Sequence, residues 1–415
     1  MWKILLEEFF GDLRGQKTRT FLTMFSVTWG TIAIVLLLAF GEGLKQQIST
    51  GLLNAGEKIF MTYGGETSKE FEGLPRGRRI RLTEEDMDLV VRSVEDVDMA
   101  SPSYGRWGVT LSYGDVKTTT YMEGVHPPFA ELRKTFPKTG GRFINELDVK
   151  ERRRVLFLGD SIAYRLFGDE DPVGKKLDID GLPYTVIGVM QGKFQDSMNN
   201  GPDEERAIIP ASTFKSVYGY RYVNHILFHP RSKERAPQTK AEIFQVLGAK
   251  YRFDPTDERA LPMWDFIESE QETKKIGTGI QIFLGMVGLF TLLVAGVGIA
   301  NIMYVVVKER THEIGVKLAV GARKSHIRRQ FVFEAVLVSF LGGLIGLGVS
   351  VGIVTLVDMI PTEGNPAMNY IANPRLSWPI TLGCMSILMA IGLAAGYLPA
   401  RRAASIDPVE SLRYE

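Results

Sequence analysis

Three short stretches carry residue types that could do chemistry. His225 and His229 lie four residues apart, a spacing that on a helix could hold a metal ion on one face. The stretch Tyr222–Phe228, however, has the composition of a strand, where this spacing is less useful for binding a metal. Because the sequence also contains no CxxC, HExxH or EF-hand pattern, it does not favour a metal site.

The other two stretches are weak matches to a nucleophile elbow and to a phosphate loop. Gly159-Asp160-Ser161 does not fit GxSxG, and a strand followed by a helix that Asp160 or Ser161 caps explains it better. Gly11–Thr18 lacks the Gly-Lys pair that a phosphate loop requires. We therefore expect this chain to have no catalytic residue, no bound cofactor and no metal ion, and not to be an enzyme that hydrolyses ATP by that route.

The elements that would position any site are dominated by four uncharged apolar runs. The chain has 415 residues and a net charge of +1, which gives no electrostatic reason to expect a nucleic acid as partner. A helix needs about 20 apolar residues to cross a bilayer core, so we predict transmembrane helices at 20–41, 276–307, 335–357 and 376–400. No acidic or basic residue lies in these segments, which argues against a proton relay or ion-coupled transport.

The N-terminal residues and the flanking charges predict an orientation. Residues 1–19 place apolar side chains at helical spacing, as in an amphipathic helix at a membrane interface. The first apolar run is longer than the 7–15 residues or so of a signal peptide, so we expect it to be retained. Basic residues are abundant before it, in 308–334 and in 401–415, but the 358–375 loop has one. By the positive-inside rule, both termini and 308–334 are expected in the cytoplasm of a bacterial inner membrane, and 42–275 and 358–375 outside it.

The long insert at 42–275 mixes helix and strand signals, which predicts an α+β domain. Gly114-Asp115 and Asp180-Gly181 each separate two short apolar runs, so two β-hairpins are expected. Thr83, followed by acidic residues, is typical of the beginning of a helix.

Other parts of the insert give simpler signals. Trp264–Lys274 has a helical pattern and is expected to lead into the second transmembrane helix. The charged runs Lys150–Arg154 and Asp203–Arg206 are expected to be solvated surface. None of these stretches groups acids and bases in the manner of an active site.

The segment 308–334 carries a more specific pattern. A basic loop held against anionic lipid would explain its lysines and arginines, but not its alternating glycines and small apolar residues. Gly315 and Gly321 are expected to break or bend a helix, while Ile314, Leu318 and Val320 would form a small apolar face. We interpret the segment as a short helix presented to a soluble cytoplasmic partner.

The apolar runs also contain glycines at the spacing of helix-packing faces. The pairs are Gly342 with Gly346, Gly348 with Gly352, and Gly392 with Gly396. Such pairs let two helices approach closely. We expect them to pack helices within one subunit, with dimerisation through the same faces as the alternative.

Three blocks of the sequence resemble the permeases of the MacB and FtsX-like family of ATP-binding-cassette (ABC) systems. Asn301–Ala335 is similar to the family pattern NIM…ERTxEIGxxxAxGA…QF…EA, and Ala395–Glu415 to its C-terminal PARRAAxxDPxEALRYE. Parts of 141–189 resemble the MacB-like periplasmic core, and Lys17–Met24 fits as well. The blocks extend over nearly the whole chain, and 276–407 would form an FtsX-like permease domain.

The resemblance implies a set of partners. Two permease subunits, as a homodimer or heterodimer, would pair with two separate ATPase subunits that use ATP and Mg²⁺. The ATPase would contact Glu309, Arg310, Glu313, Ile314, Gly315, Leu318, Gly321 and Ala322. The insert would have an inner lobe of 42–102 with 212–275 and an outer lobe of 103–211. A periplasmic adaptor and an outer-membrane protein are further partners that the resemblance allows, besides membrane lipid.

The leading hypothesis is a permease that transmits ATP-driven motion to its external domain and so drives export or extraction of a substrate, a process termed mechanotransmission. In the fused macrolide exporters of the family an ATPase domain precedes the first span. We expect none in this protein, so the resemblance does not imply the substrate class of those exporters. One alternative is a regulatory scaffold of the FtsX type that controls a cell-wall enzyme outside the membrane. Another is a permease that releases lipoproteins.

Overall fold

The computed structural model describes residues 17–195, 199–360 and 374–407, with side chains from Phe21 onward. Most of the predicted interfacial helix at 1–19, most of the 358–375 loop and the end of the 401–415 tail lie outside the described residues. The chain divides into two compact units. We call Met1–Gln47 with Lys274–Glu415 the helical unit, and Ile48–Thr273 the inserted unit.

The described residues form eleven α-helices and nine strands. The helices are α1 (Lys17–Asn54), α2 (Glu84–Ser93), α3 (Phe129–Leu132), α4 (Glu146–Lys150), α5 (Asp160–Phe167), α6 (Ala211–Tyr218), α7 (Ala236–Tyr251), α8 (Phe266–Glu309), α9 (Thr311–Ala319), α10 (Lys324–Asp358) and α11 (Trp378–Ala403). The strands are β1 (Phe60–Thr62), β2 (Val97–Tyr113), β3 (Val116–Val125), β4 (Val155–Leu158), β5 (Lys176–Ile179), β6 (Leu182–Val189), β7 (Arg206–Pro210), β8 (His225–Pro230) and β9 (Met263–Asp265).

Helices α1, α8, α10 and α11 are long and apolar enough to cross a membrane. They contain the four predicted apolar runs, apart from residues 376 and 377 before α11, so the prediction of four transmembrane helices is confirmed by length and composition. Each helix also continues past its predicted segment; α8, for example, begins at Phe266, before the expected start at residue 276. The difference has a physical reason, because apolarity decides which residues suit lipid, whereas a helix ends only where its backbone is capped or broken.

The glycine pair on α10 nearest its middle lies against α1. A Cβ atom added to Gly342 would lie 2.9 Å from the Cβ of Val27, and one added to Gly346 would lie 2.7 Å from the Cβ of Thr31. Thr28 Oγ1 donates a hydrogen bond of 3.1 Å to the carbonyl oxygen of Gly342, which ties the two backbones together. The absence of side chains at these positions therefore lets α1 and α10 approach closely, as predicted.

The pair on α11 lies against α10 in the same way. A Cβ atom on Gly392 would lie 2.2 Å from Ser339 Oγ, and one on Gly396 would lie 2.4 Å from the Cβ of Ala335. All four of these residues are buried, so the two helices meet along a stripe of small residues.

The third pair departs from the expectation of packing within one subunit. Gly348 and Gly352 are exposed, and at either position an added Cβ atom would meet no heavy atom of the described residues within 4 Å. The reason is helical geometry: at 100° per residue, positions 348 and 352 face away from the buried stripe of Gly342, Gly346 and Ser350. Spacing alone identifies a small-residue face but not whether another helix covers it.

The inserted unit contains all nine strands in one hydrogen-bonded sheet, in the order β3-β7-β4-β6-β5-β2-β8-β1-β9. Because β3 also pairs with β2, six of the strands close into a ring, and β8, β1 and β9 extend from it. The long strand β2 takes part in both regions, pairing with β8 over Val97–Ser103 and with β3 from Ser103 onward. The predicted outer lobe begins at this residue, although the lobe bounds themselves stay a prediction.

The α+β class and both predicted hairpins are confirmed. Strands β2 and β3 turn at Gly114-Asp115, and β5 and β6 turn at Asp180-Gly181. Helix α2 begins directly after Thr83, whose side chain and backbone nitrogen both contact the Asp86 carboxylate in a capping box.

Two local predictions are wrong. The N-cap of α5 is Gly159 rather than Asp160 or Ser161. A Cβ atom there would lie 2.2 Å from the carbonyl oxygen of Glu204, so the close approach of another backbone, not a capping side chain, decides which residue precedes the helix. Trp264 lies in strand β9, because its backbone pairs with Met61 of β1, and the helix begins only at Phe266.

Candidate functional site

The residues that are predicted to contact an ATPase lie in Glu309–Ala322, which we call the contact segment. It contains the short helix α9, which follows α8 and precedes α10 in the chain. Ile314 and Gly315 are buried, and Leu318 packs partly buried against the same apolar core, whose other members include Val306 and Ile327. Positions three and four apart share one face of a helix. This inward face therefore fixes α9 to the helical unit.

Two expectations about this segment need correction. Gly315 does not break the helix but lies inside α9, where glycine costs only about 1 kcal/mol and its missing side chain suits a buried position. The apolar face expected from Ile314, Leu318 and Val320 is also divided. The first two point inward, whereas Val320 follows the last helical residue and is 86% exposed.

Gly321 ends the helix, as predicted. Its φ is +96°, a conformation that residues with a Cβ atom rarely adopt. The amide of Ala322 donates to the Lys317 carbonyl oxygen, and that of Gly321 to the Leu318 carbonyl oxygen, each at 3.0 Å. These two bonds form a Schellman motif, which satisfies carbonyl groups that the end of a helix would otherwise leave unpaired.

The outward face of α9 is mixed in character. Glu313 and Val316 are exposed on it, the latter by 41%, and His312 is exposed beside them. Glu313 forms an ion pair of 2.9 Å with Lys317, one turn later. This face of α9 therefore exposes a carboxylate together with an apolar side chain.

The residues before α9 connect it to the neighbouring helix. Glu309 is exposed at the end of α8, and Arg310 forms an ion pair of 3.5 Å with Glu334 on α10. Of the eight predicted contact residues, Glu309, Glu313 and Gly321 are exposed, whereas Ile314 and Gly315 hold the helix in place.

A buried charge network in the inserted unit was missed by the sequence reasoning. The run Lys150–Arg154 is largely exposed as expected, but Asp203 and Arg206 are only 3% and 2% exposed. The prediction that Asp203–Arg206 is solvated is therefore wrong for Asp203 and Arg206, whereas Glu205 is exposed as expected. The physical reason is that Arg206 begins strand β7 within the closed ring, where neighbouring strands cover it. The sequence offered one signal of this burial, the apolar stretch Ala207–Pro210 that directly follows the run and is itself buried.

Asp203 is the centre of this network. Its Oδ1 atom accepts a hydrogen bond of 2.9 Å from Arg133, and its Oδ2 atom lies 2.8 Å from the amine of Lys193. Arg206 lies 3.4 Å from Asp203 and donates at 2.8 Å to Glu123, so the network alternates in charge. Burial raises the pKa of Asp203, but the surrounding cations outweigh it and hold that pKa well below its usual value.

The two histidines lie in strand β8, which confirms the strand interpretation of this stretch. His225 is buried with Nε2 3.8 Å from a Glu123 oxygen, while Nδ1 of His229 lies 2.7 Å from Asp98. Burial lowers the pKa of His225 to about 4, and Arg133 and Arg206 add to this effect against the opposing charge of Glu123. His225 is therefore neutral at pH 7 and lies beside the charge network without adding a charge to it.

Two protein-family models match this chain. Residues 20–246 match the model of the MacB-like periplasmic core domain, and residues 285–408 match that of the FtsX-like permease C-terminal region. The first match extends over more than half of the 415 residues.

Curated relatives are similar along almost the whole chain. The macrolide export ATP-binding/permease protein MacB of Wolinella succinogenes is 32% identical over 99% of this chain and 62% of its own length. MacB of Rhodospirillum rubrum is 32% identical over 97% of this chain and 59% of its own length. The pyoverdine export ATP-binding/permease protein PvdT of Pseudomonas syringae pv. syringae is 29% identical over 96% and 57%. This chain thus spans about three fifths of the length of these relatives.

Solved structures give more distant similarities. The periplasmic region of MacB from Actinobacillus actinomycetemcomitans is 17% identical, with a TM-score of 0.43, over 53% of this chain and 94% of that one. The extracellular domain of the noncanonic ABC-type transporter YknZ is 19% identical, with a TM-score of 0.41, over 50% of this chain and 100% of that one. On the two family matches, this chain belongs to the MacB-like family of ABC transporter permeases, with a MacB-like periplasmic core domain inserted before an FtsX-like permease region.

Proposed function

We propose that this chain is the permease subunit of an ABC exporter, and that it couples ATP hydrolysis by a separate ATPase subunit to movement of its inserted unit. The observation that carries the proposal is helix α9, which is held to the helical unit by one face and presents Glu313, Val316 and Val320 on the other. The export role rests on the relatives, which are named for macrolide export and pyoverdine export.

The chain connectivity supports a transmission role. Helices α1 and α8 each contribute residues to both units, since the unit boundaries fall at Gln47 and Lys274 inside them. The second of these helices ends at Glu309, two residues before α9 begins. A displacement of α9 would therefore reach the inserted unit through one continuous helix rather than through a flexible linker.

The lack of charged residues in the transmembrane segments supports a role in transmitting motion rather than in conducting ions. The four predicted transmembrane segments contain no acidic or basic residue that could bind an ion or relay a proton. We therefore propose that substrate is moved or extracted by the inserted unit outside the membrane, in mechanotransmission.

The proposal is tested by disrupting the outward face of α9. A tagged copy of the chain is purified from membranes of its own host, and the Mg²⁺-ATP hydrolysis that co-purifies is measured. Glu313→Lys with Val316→Asp reverses one charge and removes one apolar contact, so the co-purifying ATPase activity should fall about tenfold or more.

The matched control is Glu85→Lys with Val91→Asp on α2, where both residues are also exposed. It should leave the co-purifying ATPase activity unchanged. Equal activity in the α9 variant and the wild type would contradict the coupling role of α9. Retained ATPase activity without substrate flux in vesicles would instead favour a regulatory scaffold, and release of lipoproteins from spheroplasts would favour lipoprotein extraction.

A further inference from the structure

A groove on the inserted unit combines three arginines and two tyrosines. It has a volume of about 490 Å³ and lies between two backbone segments, residues 79–82 on one side and 220–224 on the other. Among the described residues, the charged ones that line it are Arg79, Arg81 and Arg221, and none is acidic. Each of the three is exposed.

The two walls of the groove are fixed by hydrogen bonds within the domain. The amide of Val223 donates to the carbonyl oxygen of Leu82 at 3.0 Å, which joins one wall to the other. The hydroxyl of Tyr251 donates to the carbonyl oxygen of Arg81 at 2.9 Å. Tyr220 packs edge-on against Phe214, with ring centroids 5.3 Å apart. The groove is therefore preorganised, and a ligand would bind without first ordering its walls.

Two of the three arginines lie near the same aromatic ring, that of Tyr222. The Cζ atom of Arg81 lies 5.1 Å from the ring centroid of Tyr222, and that of Arg221 lies 5.7 Å from it. In the part of the chain that the structure describes, neither guanidinium group forms an ion pair, in contrast with Arg133 or Arg252. Two like charges held at one ring repel each other, and an anion between them would remove that repulsion.

We propose that this groove binds a phosphate-bearing ligand. The planar guanidinium group matches phosphate oxygens with two parallel hydrogen bonds, so Arg81 and Arg221 would hold one phosphate and Arg79 a second charged group. A volume of about 490 Å³ exceeds what a single phosphate fills, which indicates a larger phosphorylated molecule or headgroup.

An acidic peptide fits the same charges less well. A peptide that binds in extended form pairs its backbone with free groups of a strand edge. Here the amides of Ile80 and Val223 and the carbonyl oxygens of Arg81 and Leu82 already bond within the domain. The proposal lies wholly in the inserted unit and does not depend on the role of α9.

The test uses the full chain in a neutral detergent and measures binding of inorganic pyrophosphate by calorimetry at low ionic strength. The groove variant carries Arg81→Gln and Arg221→Gln, and the control carries Arg92→Gln and Arg231→Gln, which remove the same charge from exposed positions outside the groove. Pyrophosphate affinity should fall about tenfold or more in the groove variant and by less than about twofold in the control. Unfolding followed by tryptophan fluorescence checks that both variants remain folded.

A second arm distinguishes the two sources of phosphate. Dihexanoyl phosphatidic acid that binds about tenfold more tightly than pyrophosphate, with the same dependence on the groove arginines, would assign a lipid headgroup. Equal affinities would assign a soluble phosphorylated ligand. The proposal is overturned if the wild type does not bind either phosphate probe, if the control loses as much affinity as the groove variant, or if hexaglutamate binds more tightly than both probes.

Discussion

At the scale of single residues, Asp203 pairs with the buried cations Arg133 and Arg206 and with the partly buried Lys193. Changing it to asparagine keeps its shape but removes the carboxylate that pairs with all three cations; among the described residues, Glu123 still pairs with Arg206. Removing one partner of a buried ion pair typically costs about 3–5 kcal/mol, because the other charges stay buried. Asp203→Asn should therefore lower the free energy of unfolding of the inserted unit by that amount.

Urea unfolding of the full chain in detergent, followed by tryptophan fluorescence, measures this change. Asp88→Asn on α2 is the control, since Asp88 is exposed and its substitution should change the free energy by less than about 0.5 kcal/mol. Similar stabilities for the two variants would show that the buried network does not stabilise the domain.

His225 predicts a dependence of stability on pH. Its pKa is about 4 in the folded domain, against 6.5 ordinarily, so the unfolded state binds more protons between these values. Stability from this group is fully present above pH 6.5 and is lost as the pH falls toward 4. The loss between pH 7 and pH 5 should be about 2 kcal/mol.

His225→Gln removes this titration, so the free energy of unfolding should change less between pH 7 and pH 5 than in the wild type. The comparison of slopes remains valid even if the variant is less stable at every pH. Identical slopes would mean that other groups, such as the carboxylates with lowered pKa values, account for any acid sensitivity.

At the scale of elements, the packing of α10 predicts opposite changes in stability when two of its glycines are replaced by alanine. A Cβ atom at Gly346 would lie 2.8 Å from the carbonyl oxygen of Thr28, whereas one at Gly348 would meet nothing within 4 Å. Gly346→Ala should therefore destabilise the helical unit by about 1–3 kcal/mol. Gly348→Ala should stabilise it by up to about 1 kcal/mol, because alanine loses less backbone entropy in a helix.

Thermal unfolding of both variants in the same detergent, monitored by circular dichroism, compares the two signs. If Gly348→Ala were as destabilising as Gly346→Ala, an additional surface would have to cover the exposed glycines. If neither variant changed the stability, close approach of α1 and α10 would not contribute to it.

At the scale of the whole molecule, the orientation in the membrane can be tested with single cysteines. The sequence has one cysteine, Cys384, which is buried on α11, so Cys384→Ser provides a background without cysteine. Asp88→Cys reports on the inserted unit and Val320→Cys on the segment after α9. Because basic residues flank α9, we expect it to be cytoplasmic and the inserted unit to be outside.

A membrane-impermeant maleimide should label the cysteine at position 88 in intact spheroplasts and the one at position 320 only after the spheroplasts are lysed. Both positions are exposed, so a lack of labelling after lysis would not arise from burial. The reverse pattern would place the contact segment outside and would contradict coupling to a cytoplasmic ATPase.

The four transmembrane helices, the two hairpins and the helix end at Gly321 were predictable, because apolarity, turn chemistry and glycine placement are local properties. Gly321 is an example, since a positive φ at a helix end suits glycine wherever the helix lies. The resemblance of Asn301–Ala335 to a permease pattern likewise needs only the order of residues, and the family matches confirm it.

The sequence by itself thus determined the elements and the family, and the tertiary structure decided which of their faces are covered. Gly346 and Gly348 are the same residue on the same helix, yet only the first meets another helix. Asp203 and Arg206 look like solvated charges until the strands around them close into a ring. The physical reason is that burial depends on which distant segments pack against a residue, and the free energy of a charge or a glycine depends on burial more than on its neighbours along the chain.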